Sequence, residues 1–246
     1  MKKYITVFAI FALVGIVAIL FRVGSRSLTP ANETNPQHAF YEQLPMMTGD
    51  MFSLPAPTKE GQMSLEETMV LRRSIRSYLD LPLSIHELSQ LLWAAQGINN
   101  ERGFRTAPSA GATFPLEMFV VVNNVENLDK GIYHYHPQGH QMTFIRSVDV
   151  AEPLFTACLS QSMILDSGAI LVFAAIYERT TARYGERGVR YIYNEVGHAS
   201  QNVHLQAAAL DLGTVVIGAY RDDEVEEILQ LGDEYRVLYL MPVGKM

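Results

Sequence analysis

Apolar positions fall into three regimes along the chain. From Tyr4 to Phe21 they are continuous, with only Tyr4 and Thr6 carrying polar side chains, and Lys2 and Lys3 stand just before. A run of that length is near the lower limit for crossing a hydrocarbon core of about 30 Å. It has no polar face with which to lie on a globular surface. Residues 1–26 are therefore expected to form a transmembrane anchor, or a signal peptide if cleavage follows the small residues Gly24 and Ser25. Basic residues flank both ends (Arg22 and Arg26 follow the run), so charge alone leaves the orientation open. The two lysines immediately before the run favour an outward-facing, extracytoplasmic domain, or a secreted one after cleavage. Residues 27–60 lose all sustained period and carry Pro30, Pro36, Pro45, Pro55 and Pro57, the marks of a linker that orders as it meets a domain.

From residue 61 onward the periodicity is that of a folded domain. Ser64-Leu65-Glu66-Glu67 and Ser84-Ile85-His86-Glu87 both have capping-box form, a serine with a glutamate three residues later. The first predicts a short helix with Leu65, Met69 and Leu71, running into Arg72–Arg76. The second predicts a helix with Leu88, Leu91, Leu92 and Ala95 inward and Gly97 as its stop. Met118 to Val122 reads as a strand, and Lys130-Gly131 and Pro137-Gln138-Gly139 punctuate a hairpin bearing Tyr133, Tyr135 and Phe144. Asp149 to Leu159 is a short helical pattern. Gly168 to Tyr177 is almost unbroken apolar strand, expected to be covered on both faces. Arg190 to Leu212 is the longest helical pattern, ended by Gly213. Thr214 to Ala219 and Val237 to Val243 read as strands, with a helix over Glu224 to Leu231 between them. Hairpins and crossovers together argue an α+β fold around a mixed sheet flanked by helices.

The chain's net charge of −7 excludes a general nucleic-acid surface. The single cysteine, Cys158, can form neither an internal disulfide nor a thiolate metal cage. It sits in an apolar stretch and reads as a small buried hydrophobe.

Three stretches carry candidate chemistry. In Arg72-Arg73-Ser74-Ile75-Arg76, three guanidiniums within five residues repel one another unless an anion sits among them. Arginine's planar donors match phosphate, and Ser74 adds a hydroxyl. The competing reading is a basic helix end that complements the macrodipole. Ala107-Pro108-Ser109-Ala110-Gly111-Ala112-Thr113-Phe114-Pro115 is a loop of small residues that lets backbone N–H groups approach a ligand, though it can equally be only a loop. Gly213 and Gly218 bracket an apolar strand whose bare backbone can flank a flat ring, or merely mark a connection and a bulge.

In this order the stretches resemble the nitroreductase superfamily, in its SagB/ThcOx-type dehydrogenase branch. The likeness also takes in Pro115-Leu116-Glu117, Gly131-Ile132-Tyr133-His134-Tyr135 and Glu195 to Asn202, and it covers residues 63–244 of a domain spanning 61–246. The resemblance implies an FMN-binding α+β sandwich that forms a homodimer, with the flavin at the interface. It implies that Arg72, Ser74 and Arg76, with Arg73, hold the phosphate and ribityl end. It implies further that Pro108, Ser109, Ala110 and Gly111 line the flavin from one subunit, and that Ile217 and Gly218 face the ring. Arg183 and Tyr184 stand where azoline-oxidising relatives carry a proton-removing Lys-Tyr pair. Arginine is a poor proton acceptor at neutral pH, so azoline oxidation is not implied. Many relatives also have a C-terminal basic pair on the phosphate, where this chain offers Lys245.

The function expected is that of an FMN-dependent oxidoreductase acting on a small molecule or peptide. Its electron donor would be NAD(P)H, or a membrane or redox-protein donor. The alternative is a membrane-tethered flavin-binding or interaction module without turnover. Metal readings are the weaker ones. Glu195 and His198 form a single Glu-x-x-His pair, where a di-iron site needs two copies. His134, His136 and His140 on the hairpin could share a face or simply be solvated. No metal is expected.

Overall fold

The computed structural model describes residues 49–246. The Tyr4–Phe21 run and most of the linker, with the expected membrane helix and its orientation, lie outside the described residues. Among these residues, no helix is long and apolar enough to cross a membrane.

The strands are β1 (Met51–Ser53), β2 (Leu116–Val122), β3 (Gly131–His136), β4 (Gln141–Arg146), β5 (Ala169–Ala175), β6 (Leu212–Thr214) and β7 (Arg236–Lys245). The helices are α1 (Leu65–Leu71), α2 (Ile85–Gln96), α3 (Ala151–Ala157), α4 (Met163–Asp166), α5 (Glu178–Tyr184), α6 (Arg187–Ala209) and α7 (Asp222–Leu229). The strands make one sheet in the order β1-β4-β3-β2-β5-β7-β6. Every pairing between named strands is antiparallel, which corrects the expected mixed sheet. Helices do alternate with strands here, but each connection brings the chain back beside an antiparallel neighbour. The one parallel contact is the isolated bridge Leu83–Val125.

Strands β2 and β5 run through the centre, and every one of their residues is buried. Leu116, Met118, Val120 and Val122 of β2 point with Leu171 and Phe173 of β5 into the main core. There they meet Leu88, Leu91, Leu92 and Ala95 of α2 and Ile192, Val196, Ala199 and Val203 of α6. The opposite face, with Phe119, Ile170 and Val172, is buried as well, and α3, α4 and α7 lie on that side. Helices on both faces explain why β5 is a continuous apolar run instead of an alternating one.

Both capping boxes form. Ser64 accepts from the Glu67 amide at 3.2 Å while the Glu67 carboxylate accepts from the Ser64 amide at 2.8 Å. Ser84 and Glu87 repeat this at the start of α2. Gly97 follows α2 as expected, but in an extended conformation.

Gly213 is not the stop of α6. The helix ends at Ala209, and Asp211 makes the turn at φ 56°, leaving Gly213 inside β6. Its reason for being glycine is the neighbouring chain. A Cβ there would come within 2.8 Å of the Ile75 side chain and 3.0 Å of the Tyr78 ring, and its partner in register, Gly244, is covered by the same ring. The strand expected over Thr214–Ala219 shortens to Leu212–Thr214 plus an isolated bridge, Ile217–Leu240.

Candidate functional site

The arginine run is not a continuation of α1. The helix stops at Leu71, and the chain leaves it extended at Arg72 (ψ 121°) because β6 claims the segment. The Ile75 amide donates to the Thr214 carbonyl at 3.0 Å, Leu79 donates to Lys245, and the Tyr78 hydroxyl donates to the Pro242 carbonyl at 3.0 Å. Seated this way, the three arginines separate in role. Arg73 turns back and donates to the carbonyls of Val70 (2.7 Å) and Arg72 (2.8 Å), satisfying the C-terminal end of α1. Arg72 is half-buried and Arg76 exposed, and neither guanidinium bonds or pairs with another described residue. Arg72 lies close enough to His204 on α6 for its charge, after burial, to help push that imidazole down to about 4.

A second cluster is built on the loop before β2. Pro108 and Gly111 are exposed, and Ala110–Ala112 forms a 3-10 turn with Gly111 at φ 59°. Arg183 and Tyr184, at the end of α5, lie directly over this turn. Arg183 donates to the Gly111 carbonyl at 3.0 Å, and a Cβ on Gly111 would run into the Tyr184 hydroxyl. The left-handed φ and the close approach both require glycine. Arg183 therefore braces the loop, and Tyr184 stands at its rim with its ring edge-on to Tyr191 at 5.1 Å. Beneath the loop, the Ser109 hydroxyl accepts from the Phe114 amide at 2.9 Å, and the Glu195 carboxyl of α6 is buried nearby with its Oε1 unpartnered among the described residues. Burial pushes the Glu195 carboxyl up to about 7, against the opposing effects of Ser109 and the charge of Arg105.

Ile217 and Gly218 form the third group. Ile217 is buried and exchanges two backbone bonds with Leu240, which leaves exposed Gly218 backed by the Tyr239 ring, 3.3 Å from a Cβ built there. The chain thus brings Arg183 and Tyr184 onto the Pro108–Gly111 loop. It holds Arg72–Arg76 on the β6 edge, where Ile75 bonds Thr214, three residues before Ile217.

Several residues that shape the site were given no part in it from the sequence, Arg105 and Arg179 not being named at all and Glu117, His134 and Glu195 only within the resemblance or the metal readings. Glu117, at the start of β2, binds His134 at 2.8 Å and Arg179 at 2.6 Å, all with side chains 5–7% exposed. Burial alone would raise the Glu117 carboxyl. The His134 hydrogen bond and the charges of His134, Arg179 and Arg105 outweigh it and hold it at about 2. Arg179 also donates to the Phe114 carbonyl at 3.0 Å, tying this cluster to the loop's end. Arg105, nearly buried, donates to Gln96 at 2.6 Å and lies 4.6 Å over the Phe114 ring. A signal for Glu195 was available, since it falls on the inward helical face with Ile192, Val196 and Ala199.

The hairpin histidines are not solvated. His134 serves Glu117, His136 bonds Thr143 at 2.8 Å, and His140 bonds Tyr135 at 2.9 Å and Ser89 at 2.7 Å. Glu195 is buried while His198 is exposed, so the pair does not converge. Among the described residues no group of three metal-ligating side chains occurs. Lys245 is committed elsewhere, with its ammonium 2.5 Å from the Glu87 carboxylate that caps α2.

With this geometry in place, the sequence can be set beside known proteins. A model of the nitroreductase family matches residues 70–245. The chain belongs to that family. A nitroreductase-like protein of Methanocaldococcus jannaschii is 47% identical over 197 residues, covering 80% of this chain and 98% of the relative. The microcin B17-processing protein McbC of Escherichia coli is 30% identical over 165 residues, covering 61% of this chain and 57% of McbC, which agrees with the SagB-type branch. Among solved structures, a nitroreductase-like protein from Anabaena variabilis superposes with a TM-score of 0.71 at 31% identity over 80% of this chain, which spans 42% of that protein. This nitroreductase-family domain is thereby an oxidoreductase of the α+β nitroreductase fold.

Proposed function

We propose that the domain is an FMN-dependent oxidoreductase working as a homodimer. Electrons would pass through the flavin from NAD(P)H, or from a membrane or redox-protein donor, to a small molecule or peptide. One observation carries the reading: Arg73 is tied to α1, whereas Arg72 and Arg76, flanking Ser74, hold uncommitted guanidiniums at an accessible edge. Like charges held this close are stabilised by an anion, and two forked donors around a hydroxyl fit a terminal phosphate. The chain carries no Gly-x-Gly-x-x-Gly turn for a pyrophosphate, which favours FMN over FAD.

Bound flavin would supply the hydride chemistry. The chain's own part would be to bind and orient. Arg72, Ser74 and Arg76 hold the phosphate end. The Ser109 hydroxyl accepts from the Phe114 amide, so the Pro108–Gly111 loop serves through its backbone and small side chains. Gly218 offers a flat, bare surface, and the Tyr184 hydroxyl stands at the loop rim where a substrate proton could be held. Arg183 is engaged with Gly111 and is a poor base, so the peptide-azoline oxidation of family relatives is not carried over. The apolar Tyr4–Phe21 run would anchor the domain to a membrane, facing outward. Reporters active on one side only, fused after residue 30 and at the C-terminus, test this, and cytoplasmic activity from both would end it.

Purification without added flavin, an absorption spectrum and anaerobic titration with NADH and NADPH test the main reading. Acid-released FMN and a flavin that is reduced and reoxidised with turnover are expected. FAD on release would overturn the cofactor assignment, and a coloured protein without turnover would favour the binding module. Arg76→Ala should weaken FMN binding by about 10- to 150-fold, from a charge-assisted bond worth about 1.5–3 kcal/mol. Unchanged occupancy, read from the ratio of flavin to protein absorbance, would remove Arg76 from the site.

A further inference from the structure

Helices α2 and α6 pack side by side, and a cleft of about 620 Å³ opens between them and the segment 56–63. None of the residues assigned to the flavin lines it. Its polar side chains are held by bonds that leave particular atoms over. Gln90 of α2 is fully engaged. Its Oε1 accepts from the Thr58 amide at 2.8 Å, and its Nε2 donates to the Thr58 carbonyl at 3.0 Å and to Gln206 Oε1 at 3.1 Å. This fixes which way the Gln206 amide faces, and its Nε2 is left as a donor with no partner among the described residues. One turn earlier on α6, Asn202 donates through Nδ2 to the Thr106 carbonyl at 3.3 Å, and its Oδ1 is left as an unpartnered acceptor. Both side chains are half-buried and line the cleft.

Around these two atoms the lining is apolar and flat. Ala94, Leu205 and Ala209 contribute small and aliphatic surface, and the Trp93 indole forms part of the wall. Gly97 gives that indole its place, since a Cβ there would collide with the pyrrole edge. The charged members of the lining are in solvent or already paired. Lys59, Glu60 and His86 are exposed, and Glu87 is tied to Ser84 and Lys245. A charged ligand would lose its hydration here without a counter-charge to replace it. A purely apolar one would strand the Gln206 donor and the Asn202 acceptor away from water. A flat, neutral group that places a carbonyl beside an N–H satisfies both and can stack on the indole.

We propose that this cleft binds a flat, uncharged ligand whose ring carries an amide. The ring packs against Trp93, the amide carbonyl accepts from Gln206 Nε2, and the amide N–H donates to Asn202 Oδ1. Residues one turn apart on a helix have their Cβ atoms about 5–6 Å from each other, so a single amide group can reach both side chains. The volume falls within the usual range for small-molecule sites, about 300–1,000 Å³. The cleft and its ligand are independent of the flavin reading.

The experiment titrates the full chain with three probes and follows the emission of Trp93, the only tryptophan in the sequence. Nicotinamide offers the ring, the carbonyl and the N–H. N,N-Diethylnicotinamide keeps the carbonyl but has no N–H, and nicotinate puts a carboxylate in place of the amide. Nicotinamide should quench Trp93 saturably and bind about tenfold more tightly than either, the scale of one buried hydrogen bond left unmade. Gln206→Glu keeps the oxygen that Gln90 needs and removes the donor. Ala209→Phe fills the cleft without removing any side-chain hydrogen bond. Each should weaken nicotinamide by about tenfold, with a melting temperature close to that of the wild type. The same pattern is expected with and without added FMN. A wild type that nicotinamide does not quench saturably, equal affinity for the three probes, or folded variants that bind as the wild type does would each overturn the proposal. Trp93 emission that shifts with protein concentration and ignores nicotinamide would give the cleft to a second copy of the chain, and overturn it as well.

Discussion

Arg179→Ala is expected to destabilise the domain by about 3–5 kcal/mol at neutral pH, the usual cost of removing one partner from a buried ion pair. The loss falls on Glu117, whose carboxylate would keep only His134 as a direct partner of the two seen at 2.6–2.8 Å. Urea unfolding read by circular dichroism measures it. The pH dependence gives the effect its signature. The Glu117 carboxyl is held at about 2 in the folded protein, below its unfolded value, so its contribution is present above about pH 4.5 and is lost as pH falls toward 2. The gap between wild type and variant should therefore narrow across that window. A variant within 1 kcal/mol of wild type at pH 7, or a gap that does not change with acid, would contradict this account of the cluster. A functional consequence is expected as well. The Arg179 bond to the Phe114 carbonyl goes with the side chain, and Phe114 sits at the strained φ of 43° that closes the Pro108–Gly111 loop. Under the flavin reading, flavin affinity should fall even in the fraction that remains folded.

How far the fold was legible follows from how local its causes are. The capping boxes at Ser64 and Ser84 are satisfied within four residues, and they placed α1 and α2 correctly. The apolar run of β5 announced burial on two faces because that is a property of the run itself. Sheet direction has no such local cause. It is set by which neighbour each strand finds, and β5 lies between β2 and β7, which are far from each other in sequence. The same holds for Arg72–Arg76, whose helical look gave way to an extended path once Thr214 and Pro242 supplied partners about 140–165 residues away. Gly213 was read as a helix stop because a glycine after a helical pattern usually is one, whereas its cause is the Tyr78 ring resting on it. Short α5 escaped notice because Arg187–Ala209 follows it after only Gly185 and Glu186. At the site, the arginines and the small-residue loop stood out by type and spacing, and Arg183-Tyr184 only through the family resemblance. Arg105 and Arg179 did not, since their importance lies in being buried around Glu117, and Glu195 drew notice only as half of a metal pair that does not converge. A lone glutamate in a helix reads as a solvated one until the fold turns it inward.

Under the proposed reading of a flavin-loaded homodimer, Val70→Asp is expected to raise the dimer dissociation constant about 100-fold and to strip the flavin with it. Helix α1 buries only Thr68 in the single chain, while Leu65, Met69, Val70 and Leu71 are 54–68% exposed. Four large aliphatic side chains on a seven-residue helix form a patch that solvent does not favour, and a helix this short has little stability of its own. The patch runs directly into Arg72 and Arg76, so whatever covers it also closes over the phosphate end of the site. A second copy of this chain fits that place under the flavin reading, because the Pro108–Gly111 loop and the arginine segment are held by different elements, and two copies can bring one of each together. An aspartate buried in such a contact costs on the order of 3 kcal/mol, which corresponds to about two decades in affinity. Val70 is the most exposed of the four, so the substitution should leave the monomer's fold and melting temperature nearly unchanged. Sedimentation velocity recorded at both the protein and flavin absorbance bands separates the outcomes. Loss of the dimer boundary together with its flavin signal is the expected result. A flavin-loaded monomer, in wild type or variant, would mean that one chain completes the site alone, and an undisturbed Val70→Asp dimer would place the interface on another surface.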